Sequence, residues 1–148
     1  MFDRRMFLLG TVALGAAACV PSAGAATIAA SGAAGMNPGP DGADRPLTLQ
    51  VIQMRGTGAF DGADFFALQN PQAALGGDFI RVDQIAIAPG GNVSKVIGLD
   101  PSVTALGFVA GFRDPAGKTF RIKTAVSPTA KVGFQASVGP GGLTLSPA

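Results

Sequence analysis

Glycine and proline cut this chain into short segments, and between the cuts apolar residues alternate with polar ones. An alternating segment can bury only one face of an extended strand. Such a chain finds its core by stacking strands, not by packing long helices. Lys118 to Val126 shows the pattern: Phe120, Ile122 and Val126 point one way, Arg121 and Lys123 the other. Lys131 to Val138 repeats it, with Val132, Phe134, Ala136 and Val138 inward and Gln135 and Ser137 outward. Ala105 to Phe112 is apolar throughout. Its large face (Leu106, Phe108, Phe112) backs a small one (Gly107, Val109, Gly111), the mark of a strand covered on both sides.

Leu47 to Met54 reads as a strand whose apolar parity slips from Leu47, Leu49 and Val51 to Ile52 and Met54, as at a bulge. Thr27 to Ala30 is a short first strand. Ile80 to Ile87 runs into the turn Pro89–Asn92, and Val93 to Leu99 returns with Val93, Ile97 and Leu99 on one face. Asp114 to Gly117 is a hairpin turn, and Leu143 and Leu145 mark a last strand. Phe60 to Leu68 is spaced more like a helix, with Asp61 as its N-cap. Asn70-Pro71 opens a second helical turn that Gly76-Gly77 closes. The expected fold is all-β: an antiparallel sandwich of about eight strands with one or two short helical turns.

The N-terminus has a different texture. Arg4 and Arg5 precede an apolar run of 12 residues, Phe7 to Ala18. That is too short to span a bilayer, which takes about 20 residues, and it matches an export signal. Small residues lead to Cys19, the only cysteine in the chain. A lone Cys directly after such a run is the lipid-attachment pattern, with the new N-terminus at Cys19. Ala16-Ala17-Ala18 and Ala23-Gly24-Ala25 also satisfy the rule for ordinary secretory cleavage. Arg4-Arg5-Met6-Phe7-Leu8 fits either a general or a twin-arginine export route. Val20, in the place where Asp would favour inner-membrane retention, directs the protein to the outer membrane. The organisation expected is residues 1–18 as lipoprotein signal, 19–26 as tether and 27–148 as the sandwich domain.

Composition excludes much chemistry. The chain has no His, Glu, Trp or Tyr, and its one Cys lies in the export segment. Metal sites built on His or Cys and Ser-His or Cys-His catalytic pairs are therefore ruled out. The eight Asp residues after the signal show no spacing that pairs two carboxylates for catalysis. Asp41-Gly42-Ala43-Asp44 recurs as Asp61-Gly62-Ala63-Asp64 without matching a calcium loop in length or ligand order. No basic stripe with interleaved aromatics is present, so no nucleic-acid partner is expected. Phe65 and Phe66 are either core or an exposed docking patch.

Several segments, taken in order, resemble the TssJ (VasD/Lip) lipoproteins of bacterial type VI secretion. They are Leu49-Gln50-Val51-Ile52-Gln53-Met54, Ala59-Phe60, Ala63 to Leu68, Pro71 to Gly76, Pro89-Gly90 and Leu106 to Asp114. Family members often carry Arg, Tyr and Leu at the places of Gln50, Ile52 and Met54, and Trp at that of Phe120. The resemblance implies a transthyretin-like sandwich on the periplasmic face of the outer membrane, held there by lipid on Cys19. It implies no enzymatic activity and no cofactor. The implied partner is the periplasmic C-terminal region of the inner-membrane protein TssM, within a TssJ-TssL-TssM complex. The alternative is a periplasmic lipoprotein that holds a small ligand or calcium in a loop at the sandwich end.

The partner surface is expected in the long loop Gly35 to Pro46, whose prolines limit its freedom and so its entropy loss on docking. Met36 would give an adaptable apolar contact, and Asn37, Asp41, Asp44 and Arg45 polar ones. The competing reading makes all of residues 20–46 a tether.

Overall fold

The computed structural model describes residues 22–148. The export segment 1–18 and Cys19 lie outside them. The strands are β1 (Ala25–Gly32), β2 (Leu47–Met54), β3 (Phe79–Ile87), β4 (Asn92–Gly98), β5 (Ala105–Ala110), β6 (Arg121–Ala125), β7 (Lys131–Gly139) and β8 (Gly142–Pro147). They form two four-stranded sheets, ordered β4-β1-β7-β8 and β3-β2-β5-β6. β1 starts at Ala25, two residues before the expected domain boundary, and the side chain of Ala26 is already buried.

Alternation places the inner faces as expected except at Val93, which is 40 % exposed while Ile97 and Leu99 on its face are buried. Leu49, Val51, Leu106 and Phe108 meet Ile28, Ala136, Val138 and Leu143 in one buried cluster between the sheets. Phe108 on β5 and Phe134 on β7 cross this space edge to face, with ring centroids 5.9 Å apart. Not every inward position is apolar: Asp83, the register partner of Val51, is largely covered and stands 3.6 Å from Arg81 and from Lys95. Gln53 is fully buried, its amide donating to the Gly98 carbonyl at 2.9 Å and accepting from the Asp100 N–H at 2.8 Å. Both ends of the amide are satisfied, so its burial carries little penalty.

The parity slip in β2 has another cause than a bulge at Val51/Ile52. Pairing runs regularly through those residues, and the irregularity against β3 falls later, between Gln53 and Met54. Ile52 and Met54 are apolar because the outer face of this sheet is also covered. Residues 58–78 fold back over it as α1 (Gly58–Gly62), a 3-10 turn (Ala67–Gln69), α2 (Pro71–Leu75) and a second 3-10 turn (Gly76–Asp78). Phe60, Leu68 and Leu75 pack there on Ile52, Met54, Ala105 and Val109. Gly107 makes room for them: a Cβ on it would stand 2.7 Å from the Phe60 ring.

The helical segment is shorter and more broken than its spacing suggests. Asp61 is not an N-cap but lies inside α1, and its carboxylate pairs with Lys123 at 2.6 Å. The local capping bond belongs to Asp64, which accepts the Ala67 N–H at 2.8 Å. Two side chains fasten the segment to the sheet. Gln50 donates to the Leu68 carbonyl at 3.0 Å, and Arg121 donates to the carbonyls of Phe60 and Ala63.

The connections differ from the sequence reading in three ways. β1 and β7 run parallel, from Ala25↔Lys131 to Gly32↔Val138. A parallel pair needs a long crossover, and the whole intervening chain supplies it. The turn after β3 joins no hairpin, because β3 and β4 belong to different sheets. The turn at Asp114–Gly117 is one part of a longer connection, residues 111–120, between β5 and β6.

The registers give the sandwich two poles. At one, the start of β1 pairs with Gly98 and Lys131, and the facing sheet presents Met54, Phe79, Ala105 and Ala125. At the other lie the end of β1, the start of β2, the turn 88–91, the connection 111–120 and the β7–β8 turn.

Candidate functional site

The connection 33–46 leaves β1 at this second pole, and its hydrogen bonds show that it is built, not slack. Gly32 bonds both ways with the turn beyond β3: its N–H donates to Gly91 at 3.0 Å and its carbonyl accepts from Gly90 at 2.8 Å. The Ala33 N–H donates to the Val138 carbonyl at 2.8 Å. The chain then turns inward at Met36, whose side chain is fully buried in the inter-sheet core. Gly32 leaves space for it; a Cβ there would stand 2.5 Å from the Met36 sulfur. Met36 is therefore an internal support of the loop, not the surface contact expected from sequence.

Asn37 is also buried, at 5 % exposure. Its amide donates to the Pro46 carbonyl at 3.2 Å and accepts the Arg113 N–H at 2.9 Å. It thus closes the base of the loop and ties it to the connection between β5 and β6. The Asp44 carboxylate accepts two backbone N–H groups, those of Gly35 and Asn37. Arg45 N–H donates back to the Asn37 carbonyl at 3.0 Å. Met36, Asn37 and Asp44 thus brace the loop from below.

The exposed part is the tip. Gly39 N–H donates to Ala43 at 2.8 Å, Gly42 N–H to Gly39 at 2.9 Å, and Gly42 sits at φ +83°, where glycine is favoured. Asp41 and Arg45 face solvent and pair with each other at 3.0 Å. An exposed pair of this kind contributes about 0–1 kcal/mol, so both groups can exchange partners at little cost. Beside the tip stand exposed Arg113 and Asp114, and Lys118, whose ammonium lies 5.0 Å from the Phe112 ring centroid. The pole is a mixed-charge surface stiffened by proline.

Five residues were expected to form one surface, and the structure brings them into one loop while dividing their roles. Asp41 and Arg45 are presented; Met36, Asn37 and Asp44 hold them. Arg113 was missed, since nothing in a linear reading joins it to Asn37. Of the two phenylalanines left open, Phe65 packs edge to face on Phe120 at 5.2 Å, whereas Phe66 is 77 % exposed. The carboxylates of both Asp-Gly-Ala-Asp stretches are engaged within the protein. Among the described residues no group of three metal-ligating side chains converges.

Residues 25–140 match the family described as type VI secretion lipoprotein, VasD, EvfM, TssJ. The chain belongs to that family. Its members are structural lipoproteins and not enzymes. Among solved structures, the lipoprotein TssJ1 from Pseudomonas aeruginosa is 29 % identical with a TM-score of 0.78, over 86 % of this chain and 98 % of that one. Lip from Serratia marcescens, a membrane-bound component of the type VI secretion system, is 22 % identical with a TM-score of 0.76, over 84 % and 97 %. A chain in a structure titled as the TssM C-terminal domain (869–1107) from EAEC is 24 % identical with a TM-score of 0.67, over 84 % and 98 %. The last two identities carry the fold alone. Among curated proteins none matches the chain.

Proposed function

We propose that this protein is the lipid-anchored outer-membrane component of a type VI secretion membrane complex. In this reading residues 1–18 direct export, Cys19 carries the lipid, and the loop tip Gly39–Arg45 docks the periplasmic C-terminal region of a TssM-type inner-membrane protein, within a complex that also includes TssL. The observation that carries it is the polarity of the sandwich. The chain enters at one pole, and the braced, proline-stiffened loop stands at the other. A bridging protein needs its anchor and its contact surface at opposite ends. The occurrence of this fold in a structure titled for the TssM C-terminal domain supports the choice of partner.

The test separates tip from brace. Asp41→Ala with Arg45→Ala removes the exposed pair and the Ala43 N–H bond to Asp41, both at the solvent-facing tip, so thermal unfolding should change little. Capture of the TssM periplasmic region should weaken at least about tenfold, equal to about 1.4 kcal/mol. Unchanged capture by the folded double variant would move the contact elsewhere, with exposed Phe66 the next surface to examine. Cys19→Ser tests the anchor: it should release a folded domain from the membrane. No observation favours the ligand- or calcium-binding alternative.

A further inference from the structure

The entry of the chain into the sandwich is unusually tight. Gly24 N–H donates to the Pro128 carbonyl at 2.8 Å, Ala25 N–H to Ala130 at 2.9 Å, and the Gly24 carbonyl accepts from Leu99 N–H at 2.9 Å. A Cβ on Gly24 would stand 2.4 Å from the Ala130 carbonyl oxygen and 2.6 Å from that of Pro128. Backbone surrounds this position, so nothing there can yield cheaply. The chain is therefore pinned at Gly24 between the connection 126–130 and the segment after β4.

Four residues separate Gly24 from Cys19. Even fully extended, that stretch lets Gly24 stand at most about 18 Å from Cys19. β1 has eight residues and carries the chain about 26 Å towards the opposite pole. With Cys19 at the lipid headgroups, an end-on arrangement with loop 35–46 touching the bilayer would need a leash of about 26 Å or more. The available length forbids it. The surface around the pin is suited to lie near headgroups. It includes Pro101, Ser102, Ser127, Pro128 and Thr129, small and uncharged, and the cations Lys131, beside Ala25, and Arg55, which suit anionic headgroups, with the Asp100 carboxylate occupied by the Ser102 hydroxyl at 2.6 Å and N–H at 2.9 Å.

We infer that the pole formed by residues 99–104 and 126–130 faces the lipid surface, and that the pin at Gly24 sets the orientation of the domain on the membrane. This rests on lipid attachment at Cys19. The short leash then presents the loop tip away from the bilayer before any partner arrives, so less orientational freedom is lost on docking.

The test uses the full lipidated protein in phosphatidylethanolamine–phosphatidylglycerol vesicles containing a headgroup nitroxide lipid. Cys19 is the only cysteine and is consumed by the lipid, so one introduced thiol can be labelled with a fluorophore. Thr129→Cys reports the pinned pole, Ala43→Cys the loop tip, and Ala73→Cys and Val96→Cys the flanks; all four positions are exposed. Quenching at residue 129 should exceed that at residue 43 at least about threefold, given the length of β1. Inserting ten Gly/Ser residues between Ser22 and Ala23 should reduce that ratio towards one without changing the melting temperature. Equal quenching at all four sites, or strongest quenching at 43, 73 or 96, would overturn the orientation while leaving the anchor intact. Failure of the unlabelled wild-type protein to carry an acyl mass or to bind the vesicles would instead overturn the anchor, and the orientation with it.

Discussion

The side chain of Asn37 and the backbone N–H of Arg113 meet at 2.9 Å, joining two loops that lie 76 residues apart in sequence. This bond ties the candidate docking loop to the connection between β5 and β6. Asn37→Ala leaves the Arg113 N–H and the Pro46 carbonyl without their buried partner. The expected cost is about 1–3 kcal/mol, measured by urea unfolding. Hydrogen exchange at Arg113 should accelerate more than exchange in β7. Unchanged protection at Arg113 would show that the two loops are not coupled.

Phe108 tests the inter-sheet core. It is fully buried and reaches Phe134 across the sandwich. Phe108→Ala should cost about 3–5 kcal/mol, against a total of about 5–15 kcal/mol for a domain of this kind. Its unfolding midpoint in urea should fall steeply. A midpoint close to wild type would mean that the cavity collapses without cost.

Gly107 tests the outer core. Adding a single methyl group there meets the Phe60 ring at 2.7 Å and the Met54 terminal carbon at 3.0 Å. Gly107→Ala should destabilise by about 1–3 kcal/mol through overpacking, although alanine is otherwise the better strand residue. Truncating the obstruction in a Phe60→Leu, Gly107→Ala double variant should recover part of the loss. Additive losses would place the strain elsewhere.

Asp100 gives the one pH-dependent expectation. The Ser102 hydroxyl, and after it the Ser102 backbone N–H, hold the Asp100 carboxyl below its usual range. A carboxyl depressed in the folded state stabilises above its unfolded value, about 3.9, and that stabilisation is lost as pH falls through the folded value. Ser102→Ala should raise the Asp100 titration midpoint by NMR. Stability curves of the two proteins should separate above about pH 4 and merge in stronger acid. The gap should be small, because the partly exposed carboxyl is screened by solvent.

The sequence by itself determined the strands, their inward faces and the doubly covered β5, because side-chain direction in a strand alternates with a period of two whatever its neighbours are. Phe108, Ala136, Val138 and Leu143 are inside for that reason. Tertiary structure alone decided which strands pair. The alternation of β1 is the same whether it lies beside β2 or, as found, between β4 and β7, and only long-range packing makes the choice. It also decided where polar and irregular segments go. Gln50, Gln53 and Asn37 are buried because backbone groups distant in sequence, at Leu68, Gly98 and Arg113, meet their amides there. Met36 is inside because its loop folds back over Gly32. No local pattern encodes those meetings. A buried polar group is tolerated only where its partners are, and their positions exist only once both sheets have closed.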